Sequence, residues 1–360
     1  MERFVQRPDV ARVLGHGDTK SSVELLHGVQ ADLRILPPER YGTALSYFTG
    51  SQAHNIRLRE MARQRGLSLN EHEFSHLEGE GAPILCATEE AVYAMLDLPW
   101  IPPELREDRG EIEAAQAGSL PQLIRLADIR GDFHMHTTAS DGLLSLREMV
   151  EAARARGLRC IVITDHSRSQ RIANGLTIER LLEQQQAVRA IDAEYSDITV
   201  LHGSEVDILP DGTLDFPDEV LAQLDLVVAS LHLSLDQPRE KVTARMLNAV
   251  RNPHVDIIGH MRGQLIMRRE PADLDMDVVL EAAQTSSVAL EINANPARLD
   301  FGSCLCTARA EMGIKIAINT DAHSAADFEL LPFGIGTARR AWLSAEQVIN
   351  TGKLTDCWHG

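Results

Sequence analysis

The chain has 360 residues, and its 44% hydrophobic content is enough for two or three domains with sizeable cores. No run approaches the roughly 18 apolar residues of a membrane span, and the N-terminus lacks the apolar segment of a secretory signal. The five cysteines form no even framework, so we expect free thiols in a cytoplasmic protein. The formal charge of −18 argues against nonspecific adhesion to nucleic acid, although it permits a local basic groove or a metal site.

Short elements are predicted over the first hundred residues. Residues 28–36 have the pattern of a strand, which Pro37 and Pro38 end. A helix is predicted at 57–67, with Gly66 as its stop, and a second helix at 88–96, with Thr88 as its cap. The first of these helices carries four arginines: Arg57, Arg59, Arg63 and Arg65. Prolines followed by charged residues over 99–124 predict a linker with one short helix.

Strands and helices alternate regularly from residue 129 onward. Seven apolar strand candidates lie at 131–136, 159–166, 198–208, 225–233, 255–260, 288–293 and 315–323. Segments with helical periodicity separate them, at 146–157, 178–191, 241–250 and 276–284. This alternation predicts an α/β fold in which a parallel sheet of seven strands is wound into a barrel-like (β/α) arrangement.

Nearly every one of these strand candidates ends in a possible metal ligand. The residues are His134, His136, Asp141, His166, Glu205, His232, His260, Asp321 and His323, and Asp165 lies beside them. Because the carboxyl ends of parallel strands form the active-site face of such barrels, we expect the side chains to converge there. Any one of these histidines alone is better explained as an ordinary buried or surface residue. Packing does not explain the placement of all of them at strand ends.

The donors outnumber what a single ion coordinates, so two or three divalent ions are expected. Such ions lower the pKa of bound water and hold phosphoryl oxygens, which makes a phosphate ester the natural substrate. The sequence contains neither a G-x-S-x-G nucleophile motif nor a P-loop. Cys304 and Cys306 have no second pair of thiols and are interpreted as helix-face or surface cysteines.

The motifs HMHTTASDG, TDH, GSEVDI, SLH, GH, EINANP and NTDAH occur in this order, and the set resembles the PHP (polymerase and histidinol phosphatase) family. The resemblance implies a centre of three divalent ions, zinc and/or manganese, with catalytic roles for Glu205, Asp321 and His323. By the same resemblance, one ion is held by His134, His136, Glu205 and Asp321, a second by Glu205, His232 and His260, and a third by Asp141, His166 and His323.

The rest of the chain is similar to a bacterial family X DNA polymerase joined to a C-terminal PHP domain. This resemblance divides the chain into a partial polymerase palm (1–38), a helical thumb (39–100), a linker (101–128), the PHP domain (129–345) and a C-terminal tail (346–360). Asp32 matches the third catalytic carboxylate of the polymerase, which implies magnesium there. Five further residues match those that hold the incoming nucleotide: Tyr47, Phe48, Gly50, Asn55 and Arg59.

Two departures from the family pattern stand out. No D-x-D pair precedes Asp32, so the chain has the appearance of an N-terminally truncated member. Gln264 stands where the family has an arginine, which leaves Arg262, Arg268 and Arg298 as candidates for phosphate binding.

The resemblance implies a phosphoesterase of DNA repair, a 3′–5′ exonuclease or 3′-end-processing enzyme whose partner is single-stranded DNA or a DNA 3′ end. One alternative is a small-molecule phosphatase of the histidinol-phosphatase type. Another is a DNA-binding remnant with structural metals, although a structural zinc site needs only four ligands. The sequence does not choose the metal, the ester or the oligomeric state.

We predict that the 360-residue chain does not extend a primer on a template. With Asp32 as the only matched polymerase carboxylate, neither polymerase metal is held and the primer 3′-hydroxyl is not activated. Primer-extension assays with the purified chain test this directly. Extension that disappears in Asp32→Ala would contradict the prediction.

Overall fold

The computed structural model describes residues 1–79, 81–286, 288–298 and 313–352. The chain folds as two compact units, Met1–Leu120 and Pro121–Gly360. Their boundary falls within the segment 101–128 that the sequence analysis assigns to a linker. Ile101, Leu105 and Ile112 are buried in the first unit, so the early part of this segment is part of that unit's core.

The first unit begins with a three-stranded antiparallel sheet and continues with helices and a small hairpin. Its strands are β1 (Val10–His16), β2 (Lys20–Leu25), β3 (Gln30–Arg34), β4 (Leu67–Leu69) and β5 (Phe74–His76), with the order β1-β2-β3 in the sheet and β4 paired to β5. Its α-helices are α1 (Glu2–Val5), α2 (Tyr41–Phe48), α3 (Gln52–Gln64), α4 (Glu89–Ala94) and α5 (Glu111–Gln116).

The predicted helices of this unit are present, with one shifted start. Helix α3 begins at Gln52, five residues before the predicted position, because the Ser51 side chain accepts a hydrogen bond from the His54 backbone N–H. Its end is as predicted, since Gly66 adopts a left-handed φ of 74° just beyond the last turn. Thr88 caps α4 through the backbone N–H of Ala91, which confirms the predicted cap.

A buried ion pair connects α4 to the segment that precedes α5. The fully buried Arg106 guanidinium donates to both carboxylate oxygens of Glu89, at 2.5 and 3.1 Å, and to the carbonyl of Ile101 at 2.9 Å. The same guanidinium lies 5.1 Å from the ring centre of Tyr93. These contacts explain why the predicted linker is ordered at this point.

The second unit is a ring of seven parallel strands. They are β6 (Gly131–Asp132), β7 (Cys160–Ile163), β8 (Thr199–Asp207), β9 (Leu226–Ser230), β10 (Ile257–Ile258), β11 (Ala289–Asn293) and β12 (Ile316–Asn319), in the spatial order β12-β11-β10-β9-β8-β7-β6. A parallel bridge between Met135 and Ala322 joins the two ends of this order, so the barrel is nearly closed. The predicted fold and all seven strand candidates are confirmed.

Helices connect the strands and cover the barrel. They are α6 (Leu146–Ala155), α7 (Ile178–Asp192), α8 (Asp218–Leu221), α9 (Arg239–Val250), α10 (Met276–Thr285) and α11 (Leu331–Arg340). No helix among the described residues combines the length and apolar character needed to cross a membrane. Of the cysteines, Cys86 and Cys160 are buried free thiols, and Cys304 and Cys306 lie outside the described residues.

Alternation along the strands separates an apolar layer from a polar layer inside the barrel. Val228, Ala289 and Ala317 belong to one buried apolar cluster. Glu291 comes two residues after Ala289 on the same face of β11, and Asp321 follows the end of β12. The carboxyl ends of the strands therefore carry the buried charged groups.

The barrel unit extends beyond the predicted boundary at residue 345. Asn350 is fully buried and donates to the Gly131 carbonyl at 3.1 Å and to Asn319 Oδ1 at 3.0 Å. It also accepts a hydrogen bond from the Ile318 backbone N–H at 2.7 Å. Asn350 thus joins β6 to β12, and residues 346–352 belong to the folded unit rather than to a tail.

We predict that Glu89→Ala destabilises the first unit by about 3–5 kcal/mol, because it leaves the Arg106 charge buried without its partner. Hydrogen exchange of the amides in α3 and α4 measures the loss. Glu90→Ala, at the exposed neighbouring position, is the matched control and should change stability by about 0.5 kcal/mol or less. Equal exchange rates in the two variants would argue against a stabilising role for the pair.

Candidate metal centre

The structure brings all nine expected ligands together at the carboxyl ends of the strands. Within each of four overlapping groups, the ligand atoms lie within 4.8 Å of one another. The groups are His136, Asp141, His166 and His323; His134, His260 and Asp321; His134, His136 and Glu205; and His166, Glu205 and His232. The assignment of these residues to three separate ions remains a prediction.

Glu205 lies at the centre of the cluster and is 1% exposed. Its Oε1 is 2.9 Å from His260 Nε2 and 3.3 Å from His232 Nε2. Its Oε2 is 2.9 Å from His166 Nδ1 and 3.4 Å from His134 Nε2. One carboxylate therefore faces imidazoles from the ends of four different strands, which is the placement a bridging ligand requires.

Asp141 lies on the more accessible side of the cluster, close to three of its histidines. Its Oδ1 is 3.4 Å from His323 Nε2 and 3.9 Å from His136 Nδ1, and its Oδ2 is 3.6 Å from His166 Nε2. About a third of the Asp141 and His323 side chains is exposed, whereas His136 is fully buried. Solvent and substrate therefore reach the cluster from the side of Asp141 and His323.

Several candidate ligand atoms are buried and, although some lie close to one another, none of them forms a well-directed hydrogen bond among the described residues. They are His134 Nε2, His136 Nδ1, His166 Nδ1, His260 Nδ1 and Nε2, and both carboxylate oxygens of Glu205. Buried polar atoms without partners are costly and rare, but coordination to a cation satisfies them. Imidazole nitrogens and carboxylate oxygens are also the donors that zinc and manganese accept. The residues present therefore fit a divalent metal centre.

Glu291, a buried carboxylate that the sequence analysis did not single out, orients two of the ligands. Its Oε1 lies 2.7 Å from His134 Nδ1 and accepts a hydrogen bond from Asn319 at 2.9 Å. Its Oε2 accepts a hydrogen bond from the His260 backbone N–H at 2.7 Å. Because His134 Nδ1 is occupied in this way, His134 Nε2 is left to face the cluster.

Asp207 has the same relation to His232, with 2.6 Å between Asp207 Oδ1 and His232 Nδ1. The Gln170 side chain donates to Asp207 Oδ2 at 2.8 Å. The sequence did contain a signal for Asp207 and Glu291. Each is an acidic residue within an apolar strand, and a buried acid requires a partner. Asp165 accepts hydrogen bonds from Thr137 and so fixes the start of the loop that carries Asp141.

Of the phosphate-binding candidates, Arg298 lies beside the cluster. Its Nε is 3.4 Å from Asp321 Oδ2, and its buried Nη1 has no hydrogen-bond partner within the part of the chain that the structure describes. Arg262 and Arg268 lie in the loop that follows His260, where Arg262 Nε donates to the carbonyl of Ala272. Gln264 donates to the Arg298 carbonyl at 2.8 Å and so contacts the backbone of that candidate.

Asp321 itself has a left-handed φ of 55°. This conformation is uncommon for residues other than glycine and persists where surrounding contacts enforce it. Here Asn293 donates to Asp321 Oδ2 at 3.0 Å, and His136 Nε2 lies 3.1 Å from Asp321 Oδ1. The backbone strain therefore coincides with a ligand position.

The pKa values of the cluster's histidines are shifted in opposite directions by their surroundings. Burial opposes protonation of His166, but the carboxylates of Glu205 and Asp141 outweigh burial and raise its pKa to about 10. Burial lowers the pKa of His260 to about 4, and the charge of Arg298 acts in the same direction. Burial acts to raise the pKa of Glu205, yet the surrounding imidazoles hold it well below its ordinary value. In this structure the imidazoles supply the positive charge that compensates the Glu205 carboxylate.

The residues matched to a polymerase lie in the first unit. One open cavity of about 450 Å³ is lined by Tyr47, Phe48, Gly50, Asn55 and Arg59, together with Gln52. The Asn55 side chain donates to the Tyr47 carbonyl at 3.0 Å, and the Arg34 guanidinium lies 4.5 Å from the ring centre of Phe48. Asp32 lies exposed on β3. Nucleotide binding by this group remains a prediction.

Comparison with known proteins identifies the family. The model of the DNA polymerase beta thumb matches residues 44–107, and the PHP domain model matches residues 132–295. Over 99% of its length the chain is 42% identical to the DNA polymerase/3′-5′ exonuclease PolX of Bacillus subtilis (strain 168). The chain belongs to the PolX family of PHP-domain proteins. It spans 62% of the length of the Bacillus PolX.

Other relatives match about three fifths of the chain. A probable phosphatase of Thermoanaerobacter sp. (strain X514) is 30% identical over 62% of this PolX-family chain and 92% of its own length. The crystal structure of histidinol phosphate phosphatase from Lactococcus lactis, complexed with zinc, L-histidinol and phosphate, matches with a TM-score of 0.46 and 21% identity. That match covers 59% of this chain and 93% of the other.

We predict that removal of divalent metal lowers the melting temperature of the barrel unit. Ions at a hundredfold excess over their Kd stabilise the folded state by about 2.7 kcal/mol, or about 5–10 °C for a domain of this size. Calorimetry of the full chain before and after chelation, with metal analysis, measures the shift. The first unit serves as an internal control, and an unchanged barrel transition after confirmed metal removal would count against the centre.

Proposed function

We propose that this protein is a metal-dependent phosphoesterase of DNA repair that removes nucleotides or phosphate from DNA 3′ ends. The observation that carries the proposal is the buried Glu205, with ligand histidines from four strands around it and the unpartnered Nη1 of Arg298 nearby. Three ions of zinc and/or manganese are the proposed complement. When bound, such ions supply a water of lowered pKa and neutralise phosphoryl oxygens.

The chain's own residues have separate tasks in this proposal. Glu205 and Asp321 hold cations at the buried side of the cluster, and His323 does so at the accessible side. Arg298 donates to a phosphoryl oxygen through Nη1, because its Nε already faces Asp321. Glu291 keeps His134 in the tautomer that presents Nε2.

The hydroxyl groups nearest the ligand loop are engaged elsewhere. Thr137 Oγ1 donates to Asp165 at 2.7 Å, and Ser140 Oγ donates to the same carboxylate. A hydroxyl nucleophile needs an adjacent base that is free to accept its proton, and Asp165 already accepts several hydrogen bonds. This supports water as the nucleophile rather than a serine or threonine.

Two observations favour DNA over a small ester. The first unit matches a polymerase thumb, and the relative that aligns over nearly the whole chain is named a 3′-5′ exonuclease. The expected basic strip on α3 is partly neutralised, since Arg57 pairs with Asp108 and Arg65 pairs with Asp97. Arg63 is exposed on the same helix, so its contribution to DNA binding is the one to test.

The second candidate is a small-molecule phosphatase of the histidinol-phosphatase type. It is favoured by two probable phosphatases that match about three fifths of this chain and 92% and 86% of their own lengths. Activity on a labelled DNA strand, compared with activity on histidinol phosphate, separates the two candidates.

We predict that Glu205→Ala slows degradation of a 3′-labelled single strand, with added manganese, by more than about a hundredfold. The substitution removes a carboxylate that belongs to two of the candidate ligand groups at once. Asp321→Asn should reduce the rate less, since it removes charge but keeps the shape of the ligand. Metal analysis of each variant connects rate to occupancy.

Glu240→Ala, at an exposed position on α9, is the control and should degrade the strand like the wild type. Wild-type rates in Glu205→Ala would refute the metal mechanism. Hydrolysis of histidinol phosphate without degradation of any strand would transfer the assignment to the second candidate.

A further inference from the structure

The most exposed large apolar side chains of the described residues surround the metal centre. They are Ile172 at 103%, Met267 at 98% and Leu143 at 75% relative exposure. Each lies in a loop that follows a strand at the ligand end of the barrel, after His166, His260 and Asp141 respectively. Such side chains contribute nothing to the core, and a group of them at one face indicates a binding surface.

The loop that presents Ile172 is closed and well ordered. It leaves the barrel after His166 and returns at Leu176, whose backbone N–H donates to the His166 carbonyl at 2.8 Å. Within the loop the Gly175 backbone N–H donates to the Gln170 carbonyl at 2.9 Å. Ile172 is therefore presented to solvent by a fixed loop that starts at a metal ligand.

The loop that presents Met267 is a tight turn. Leu265 and Arg269 pair across it, and the Ile266 backbone N–H donates to the carbonyl of Ala297 at 2.7 Å. Met267 at its tip has a left-handed φ of 64°. Glycine is the usual residue in that conformation, so an exposed methionine there points to a role for its side chain.

Each apolar tip has an exposed arginine next to it in the chain. Arg171 precedes Ile172, and Arg268 follows Met267. Among the described residues, neither guanidinium forms a salt bridge or a side-chain hydrogen bond with another group. Strands β7 and β10 are three positions apart in the seven-stranded ring, so the two tips stand on well-separated sides of the barrel mouth.

We propose that these two tips, Arg171–Ile172 and Met267–Arg268, grip a single nucleic-acid strand whose 3′ end lies at the metal centre. The arginines contact phosphates, and the apolar side chains contact the faces of unpaired bases. This inference rests on the proposed function and names the substrate as a strand with accessible bases.

The chemistry of the tips favours this occupant. Isoleucine and methionine are residue types that insert between bases, and contact with base faces tolerates any sequence. Paired bases inside a duplex hide those faces, so a single strand or frayed end is the form that fits. Unpaired arginines attract a polyanion to this face although the protein as a whole is acidic.

The test compares the full chain with Ile172→Ser/Met267→Ser on three substrates: a single strand, the same strand lacking bases at its 3′-terminal nucleotides, and bis(p-nitrophenyl) phosphate. We expect the ratio of kcat/KM on the base-bearing strand to that on the small diester to fall about tenfold in the double variant. The strand without terminal bases should show no such fall. Val278→Ser, at an exposed position on α10, is the control, and melting temperatures verify folding.

Arg171→Gln/Arg268→Gln provides a second readout. Two lost phosphate contacts should reduce the slope of log affinity against log salt by about 1.4 for the single strand. An unchanged slope would overturn the role of the arginines.

The outcomes separate this inference from the proposed function. If Glu205→Ala abolishes strand degradation but the apolar double variant keeps the wild-type ratio, the inference fails and the proposed function stands. If the wild type hydrolyses the small diester and degrades no strand, the proposed function fails as well. Self-association of the wild type in sedimentation experiments, lost in the double variant, would assign the tips to contact between two copies and overturn the inference.

Discussion

The arrangement of the second unit depends on the charge of one buried carboxylate. Glu205 is ionised although its side chain is almost completely buried, and such a charge persists only with compensating cations or donors around it. The imidazoles around it come from the ends of separate strands. The ring of strands therefore positions the groups that compensate the charge of Glu205. Glu291 and Asp207 contribute indirectly to this compensation, because each orients an imidazole that faces Glu205.

The sequence was sufficient to predict the ring and the convergence of the expected ligands at one end of it, because both have regular signatures. Apolar strands alternate with amphipathic helices, and each ligand falls where a strand candidate ends, as His166 does after β7 and Asp321 after β12. The early start of α3 at Gln52 was missed because a serine cap is a local signal that the basic residues further along obscured. The order of the segment before α5 was missed because it depends on Glu89, a partner distant in the chain from Arg106.

The residues that orient the ligands were harder to predict than the ligands. Glu291 lies within an apolar strand, and only its three-dimensional neighbours, His134 and the His260 backbone, explain it. Asn350 was assigned to a tail because nothing in its local sequence indicates burial, and its partners Gly131 and Asn319 are remote in the chain. Pair interactions between distant segments leave no periodic trace in a sequence.

The seam between β6 and β12 has a consequence for the order of folding. Ligands at this seam come from opposite ends of the domain: His136 and Asp321 are 185 residues apart in the chain and 3.1 Å apart in space. Contacts of such long sequence separation form late, because the intervening chain must first be ordered. During synthesis, the half of the ligand set that emerges first has no partner across the seam until the last strand leaves the ribosome. The complete ligand set is therefore assembled only when the ring is complete, and the hydrogen bonds of Asn350 to β6 and β12 help to hold it in that state.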